Sequence, residues 1–180
     1  MEKLPLRGGS EGYFVFVAGD YIFYGAGGVC KIDAVLSAPL EHMPKDRMYY
    51  VMHSLDDPSG VIYVPVDSEM VFLRPLLTRE EAEALLLRVS EILPIEESNA
   101  KLLRERYLAA MRTHCPDEWV RVVKTVRRRR EAMGNGRPAR LSETERSFGE
   151  SASHHLEREL SLVLGLRGEE LERYVLERIG

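Results

Sequence analysis

Residues 21–35 read YIFYGAGGVCKIDAV, and this stretch decides how the first part of the chain folds. An apolar, aromatic run is followed by three glycines within residues 25–28, and apolar residues then alternate with Lys31 and Asp33. Glycines between two such runs are typical of a hairpin turn, which needs positive φ. A dinucleotide-binding loop would need a helix after the glycines, whereas a strand follows here. The stretch therefore predicts a β-hairpin.

More short strands follow the hairpin. Apolar runs at 48–52 and 61–66 are separated by a turn signal at 56–60, and strands at this spacing are typical of a small β barrel. After Pro75 the apolar residues recur at helical spacing instead. The chain is thus predicted to be α+β with two domains. The predicted parts are a flexible leader at 1–14, a small β barrel at 15–77 and an all-helical domain at 78–180.

Capping residues and prolines mark the predicted helix boundaries. A Ser or Thr followed three residues later by Glu is a capping box, and the first turn of a helix accepts proline. Trp119 lies between valines at helical spacing and is assigned to the core. The predicted signals are a capping box at Thr78 and Glu81, a helix end at Pro94, helix starts at Ser98 and Pro116, a break at 134–136, a capping box at Ser142 and Glu145, and a last short helix around 171–179.

Composition limits the class of protein. The 180 residues are 44% hydrophobic and 30% charged, which is typical of a soluble globular protein. The N-terminus lacks the apolar run of a secretory signal, and no run of about 18 uncharged apolar residues could span a bilayer. Cys30 and Cys115 lie far apart, so neither a disulfide framework nor a zinc site is predicted. We expect a cytoplasmic protein without a cofactor.

Positive charge is concentrated in one part of the chain. The formal net charge is −4, yet residues 101–140 hold 12 Lys and Arg against 4 Asp and Glu. Such a basic block is typical of a surface that neutralises nucleic-acid phosphates. The arginine run 127–130 has a simpler explanation, since cations also stabilise the C-terminal end of a helix. Because the block extends beyond that run, we favour the nucleic-acid interpretation, with an acidic protein partner as the alternative.

No residue pattern predicts catalysis. His154 and His155 are adjacent, so on a helix they point about 100° apart and do not hold one metal ion together. The sequence contains no Ser/His/Asp set with a nucleophile elbow and no spaced pair of carboxylates in an apolar setting. An enzyme that uses a pocket between the two halves is kept as the least favoured alternative.

The β half resembles a known family in the order and spacing of five short motifs. It resembles the RNA polymerase-interacting module of the bacterial CarD/CdnL transcription regulators, and a similar module occurs in the transcription-repair coupling factor. The helical half also fits, so the resemblance covers residues 17–165. The motifs are GDYIFY at 19–24, GVCKI at 28–32, YYVM at 49–52, VPVD at 64–67 and LRP at 73–75, followed by Arg106-Tyr107, Val122-Val123, Leu141-Ser142 and Glu159-Leu160.

The resemblance implies a Tudor-like barrel whose edge strand pairs with the β-subunit lobe of bacterial RNA polymerase. An exposed strand edge offers unpaired N–H and C=O groups to a strand of another protein. Some family members have an arginine at the Tyr63 position. The tyrosine is expected to contact the polymerase by aromatic packing, where the arginine would make a charge-assisted hydrogen bond. The residues expected to bind the polymerase are Ile62, Tyr63, Val64 and Pro65.

The resemblance also implies that the helical domain contacts the upstream edge of melted promoter DNA. Relatives insert a tryptophan into the minor groove there, and the matching residue here is Leu103, which is either an apolar wedge or a core residue. Arg104, Arg106 and Arg146 are expected to hold phosphates beside it. The basic block adds Lys124, Arg127 and Arg128 to the expected DNA-binding residues.

These features together predict a non-enzymatic transcription regulator that bridges RNA polymerase and promoter fork DNA and alters the stability of the open complex. The DNA contact is expected to lack sequence specificity, and no membrane partner is expected. The alternative is an adaptor that binds the polymerase without contacting DNA.

Overall fold

The computed structural model describes residues 15–133 and 141–179. By its contacts the chain divides into two compact units, Met1–Leu76 and Leu77–Gly180, which are treated separately below. The predicted leader at 1–14 and the predicted helix break at 134–136 lie outside the described residues.

The first unit is a five-stranded antiparallel sheet. The predicted hairpin is present: Tyr24 pairs with Gly28 at its end, and Gly28 has a φ of +69°, which favours glycine. The pairing order is β4-β3-β2-β1-β5. The strands are β1 (Tyr21–Tyr24), β2 (Gly28–Ser37), β3 (Met48–Ser54), β4 (Ile62–Pro65) and β5 (Leu73–Pro75).

One face of this sheet forms the core of the unit. Phe16, which precedes the first strand, packs on that face, and its N–H donates to the Tyr50 hydroxyl at 3.1 Å. Burial raises the pKa of the Cys30 thiol to about 11, so this thiol stays protonated and unreactive at neutral pH. The other buried members of this core are Ile22, Ile32, Met52 and Val64.

The strand order bears directly on the predicted barrel. An α+β chain, with an antiparallel sheet followed by helices, is confirmed. The pairing order makes β4 and β5 the two outer strands of the sheet. This pairing does not show the sheet closing into a Tudor-like barrel, so closure stays a prediction.

The second unit is helical. Both predicted capping boxes are confirmed, at Thr78 with Glu81 and at Ser142 with Glu145. The helices are α1 (Arg79–Arg88), α2 (Ala100–Arg112), α3 (Pro116–Met133), α4 (Glu143–Leu164) and α5 (Glu169–Ile179), with a short 3-10 segment at Val89–Glu91.

Two predicted helix boundaries were wrong. The first helix ends at Arg88 and passes into the 3-10 segment, so Pro94 does not end it. The second helix is capped by Asn99 and not by Ser98, because the Asn99 side chain accepts hydrogen bonds from the N–H groups of Lys101 and Leu102 at 2.9 and 3.2 Å. An Asn is as good an N-cap as a Ser, so the sequence alone did not separate the two.

Helices α3 and α4 pack closely in the core of this unit. Trp119 is fully buried, as predicted, and its ring lies 5.1 Å from the ring of His155. A Cβ atom at Gly149 would lie only 3.0 Å from a Val126 methyl, so glycine permits this approach. One polar contact also holds the segment after α1: the Thr125 hydroxyl accepts from the Ile95 N–H at 2.8 Å.

Thr125→Val tests the importance of that contact. Ile95 and Thr125 are both buried, so the variant leaves the Ile95 N–H without its acceptor, and we expect the free energy of unfolding to fall by about 1–3 kcal/mol. Urea unfolding followed by circular dichroism measures this. Thr125→Ser keeps the hydroxyl and is expected to lose much less, whereas equal losses for the two variants would assign the effect to packing.

Candidate functional site

Strand β4, which carries the predicted polymerase-binding residues, is an outer strand of the sheet. The Val66 N–H donates to the Met48 carbonyl at 2.9 Å just beyond its end. Hydrogen-bonded and non-hydrogen-bonded pairs alternate along an antiparallel ladder. Val64 and Ile62 therefore direct their backbone groups toward β3, and Tyr63 directs its N–H and C=O away from the sheet.

The side chains of the four predicted residues divide between the two faces of the sheet. Val64 is 2% exposed and Ile62 is partly buried against the same core, so both side chains lie on the core face of the sheet. Tyr63 and Pro65 lie on the opposite face. Pro65 has no N–H, and its carbonyl accepts from the Ser68 N–H at 3.1 Å. The free edge of β4 therefore centres on Tyr63.

An apolar surface adjoins this edge. Tyr63 pairs with Val51 on β3, and Val51 pairs with Ala34 on β2, so the three side chains lie side by side on the face opposite the core. All three are partly exposed. Val61, just before the strand, is 56% exposed. A strand added at this edge could form hydrogen bonds with the main-chain groups of Tyr63 and pack against the apolar side chains beside them.

The helical unit buries the residue aligned with the family tryptophan. Leu103 is 2% exposed, so the core interpretation holds and its side chain is not at the surface. The exposed apolar side chain at this place is the preceding residue, Leu102, which is 46% exposed. Arg104 and Arg106 are exposed nearby on α2, and Arg106 lies 3.5 Å from Glu97.

Lys124 has a structural role that its sequence position did not indicate. Its ammonium group donates to the carbonyls of Val89, Ser90 and Ile92 at 2.8, 3.4 and 2.7 Å. These carbonyls follow the end of α1, where backbone acceptors lack helical partners. Because its donors are engaged inside the protein, Lys124 is corrected from a DNA-binding residue to a capping residue.

The arginine run on α3 divides into one partly buried member, Arg129, and outward-facing members. Arg129 is held by Glu145 of α4 at 2.5 Å. Burial alone would raise the pKa of the Glu145 carboxyl. Hydrogen bonds from Ser142 and Arg129 outweigh this effect, so the pKa is lowered. Burial also raises the pKa of the neighbouring Tyr107 hydroxyl to about 12. The Arg129–Glu145 pair therefore joins α3 to α4.

The other arginines of the run face outward. Arg127 and Arg128 are exposed and pair with Glu131 and Glu96 at 2.9 and 3.1 Å. Exposed pairs of this kind contribute at most about 1 kcal/mol, so both guanidinium groups can exchange their partners for phosphate.

The structure gathers three arginines at one groove. Arg127, Arg130 and Arg146 line a cavity of about 420 Å³ between α3 and α4, and Arg146 also pairs with Glu143. Arg104 and Arg106 are not among its lining residues, so the predicted DNA-binding set forms a group on α2 and a group on α3 and α4. Arg130 was missing from the predicted site, although its spacing from Arg127 places both on one helix face.

Two further searches covered only the part of the chain that the structure describes. Within residues 15–133 and 141–179, no group of three or more His, Cys, Asp and Glu side chains could hold a metal ion. Across the same residues, none of the helices has the length and apolar character needed to cross a bilayer.

The comparisons with known proteins agree with the geometry of the sheet. Residues 16–77 match a family model described as the CarD-like/TRCF RID domain. The resemblance inferred for the β half is therefore confirmed, and this part of the chain is an RNA polymerase-interacting domain. The helical half lies outside the match, so its resemblance to the family stays a prediction. A search of curated proteins found no match to the chain.

Lys124→Met tests the corrected role of Lys124. The variant keeps the length of the side chain but loses three hydrogen bonds to carbonyls, so we expect the free energy of unfolding to fall by about 2 kcal/mol. Thermal and urea unfolding measure this. Arg128→Met, which removes an exposed cation from the same helix, is the control and is expected to change stability by less than about 1 kcal/mol. A stable Lys124→Met protein would return Lys124 to the candidate DNA surface.

Proposed function

We propose that this chain, whose residues 16–77 match the CarD-like/TRCF RID domain, is a bacterial transcription regulator. It docks on the β-subunit lobe of RNA polymerase and contacts the upstream fork of promoter DNA, which alters the stability of the open complex. The observation that carries the proposal is the outer strand β4, with the main-chain groups of Tyr63 directed away from the sheet. Such a regulator acts in the cytoplasm.

Docking occurs by strand addition. A strand of the β lobe pairs with β4 at Tyr63, while the apolar row of Tyr63, Val51 and Ala34 packs against its side chains. We take the sheet to be the Tudor-like barrel of the family, in which β4 keeps its outer edge. Pro65 limits the pairing, because it has no N–H to donate and its carbonyl is used by Ser68.

The DNA contact uses two groups of cations. Arg104 and Arg106 of α2 lie near the exposed Leu102, which replaces the buried Leu103 as the apolar side chain available to an unstacked base step. Arg127, Arg128, Arg130 and Arg146 form the second group. Each contact is weak alone, but docking on the polymerase gives the helical unit a high local concentration at the fork.

The alternative function is an adaptor that binds the polymerase and leaves DNA untouched. One observation favours it: Arg106, Arg127, Arg128 and Arg146 each have a glutamate partner within the chain. Footprinting of the upstream DNA in the polymerase complex, with and without this protein, distinguishes the two functions. Protection of the fork supports the regulator, and an unchanged footprint supports the adaptor.

Tyr63→Pro tests strand addition at β4. The outward N–H is lost while no hydrogen bond to β3 is removed, so the sheet is expected to keep its fold. We expect affinity for the purified β lobe to fall about tenfold or more, because a main-chain hydrogen bond is lost and the ring obstructs pairing. Titration calorimetry measures the affinity, and circular dichroism verifies the fold.

The matched control for this experiment is Tyr63→Thr. It keeps the N–H and a side chain suited to a strand, so it is expected to weaken binding less than Tyr63→Pro. Unchanged affinity of Tyr63→Pro would contradict pairing at this edge. No association of the unaltered protein with the lobe at micromolar concentration would remove the docking proposal altogether.

Replacing Arg104, Arg106 and Arg146 together by glutamine tests the DNA contact. We expect binding to the isolated lobe to stay intact while the effect on open-complex lifetime is lost. The slope of log affinity for fork DNA against log salt concentration should also decrease by about 3, since three phosphate contacts are removed. The open-complex lifetime and the salt dependence are measured with polymerase on a fork template.

A double variant provides the control for the lost charge. Arg167→Gln with Arg173→Gln removes two exposed cations that lie outside both groups and is expected to leave the lifetime unchanged. Full activity of the triple variant would show that these arginines do not act on DNA and would favour the adaptor.

A further inference from the structure

Two adjoining cavities lie within the helical unit. The larger has a volume of about 880 Å³ and the smaller about 420 Å³. Both are lined by Val123, Arg127, Ser153 and Glu157, so the two spaces adjoin along α3 and α4. The larger volume lies in the range of about 300–1,000 Å³ that small-molecule sites occupy.

The larger cavity has an apolar wall. Leucine and valine side chains of α1, α3 and α4, together with one from the 3-10 segment, line it side by side. Its charged lining residues include Lys124, whose ammonium already donates to three carbonyls. An alkyl chain is the ligand chemistry that such a wall accepts. The main apolar residues are Leu85, Val89, Val120, Val123, Leu156 and Leu160.

The smaller cavity also has a mainly apolar lining surface, and it differs by the three arginines that meet there. Its cations are the guanidinium groups of Arg127, Arg130 and Arg146, and it also holds His154 and the carboxylates of Glu150 and Glu157. Arg127 and Arg146 pair with glutamates at the surface, where such pairs are weak and readily exchanged. An anionic group of a ligand can therefore take over their donors.

We propose that the adjoining cavities bind an anionic amphiphile, a molecule with one alkyl chain and a carboxylate or phosphate head. The chain fills the apolar cavity, and the head accepts hydrogen bonds from Arg130 and Arg146. The apolar wall of the larger cavity and the three arginines at the smaller one match this class of ligand, whereas a wholly polar ligand would leave that wall uncovered. Arg130 and Arg146 also belong to the proposed DNA contact, but the binding test contains neither polymerase nor DNA, so its outcome does not depend on the proposed function.

The binding test uses the full chain and simple alkyl probes below their micelle-forming concentrations. Octanoate, decanoate and dodecanoate are titrated calorimetrically, and decyl phosphate and decanol compare the head groups. We expect saturable binding of one molecule per chain, with affinity rising about fifteenfold for each added pair of methylenes. Decanol is expected to bind about tenfold more weakly than decanoate, because it gives the arginines no anion. Comparing decanoate with decyl phosphate shows which head the site prefers.

Variants locate the site. Ser153→Trp places a bulky ring at the junction of the cavities from an exposed position and is expected to abolish binding without unfolding the helices. Arg130→Gln with Arg146→Gln is expected to reduce decanoate affinity about tenfold or more and to leave decanol unaffected. Arg112→Gln, an exposed arginine of α2 outside both cavities, is the matched control and is expected to bind normally.

Three results would overturn the inference. The first is the absence of saturable binding for all the anionic probes. The second is unchanged decanoate affinity in a folded Ser153→Trp protein, which would locate the ligand elsewhere. The third is equal affinity for decanol and decanoate, which would show that the arginines do not bind the head and would leave the apolar wall for another occupant, such as a partner helix.

Discussion

The register of strand β4, which leaves one edge of the sheet free, is the constraint on which the proposed docking depends. The hydrogen bond from the Val66 N–H to the Met48 carbonyl sets the phase of the ladder between β3 and β4. That phase directs Tyr63 outward and Val64 inward. A shift of one residue would turn the Tyr63 main-chain groups toward β3 and expose the Val64 side chain, so the packing of Val64 keeps β4 in register.

The arginines of the helical unit have different roles. Arg129 is held between helices by Glu145, whereas Arg127, Arg128 and Arg130 of the same run face solvent. Helical geometry explains the division, since successive side chains point about 100° apart. A run of four arginines therefore cannot act as one charge cluster. The cluster at the groove forms because α4 brings Arg146 beside Arg127 and Arg130.

Features that rest on contacts between residues close in sequence could be predicted, and features that rest on distant contacts could not. The hairpin at 21–35 and the capping boxes at Thr78 and Ser142 rest on contacts between neighbouring residues and were predicted correctly. The role of Lys124 was not, because its three acceptors lie more than thirty positions away in the chain. A basic residue in a basic block looks the same in sequence whether it faces DNA or caps a backbone.

The sequence by itself determined the α+β order of elements and the RNA polymerase-interacting domain, because turn glycines, strand periodicity and ordered motifs are local signals. Only the tertiary structure decided that Leu103 is core and Leu102 is surface, and which arginines converge on one groove. The physical reason is that burial and electrostatic environment are set by the elements that pack around a residue. A single helix, however amphipathic, does not specify what will cover it.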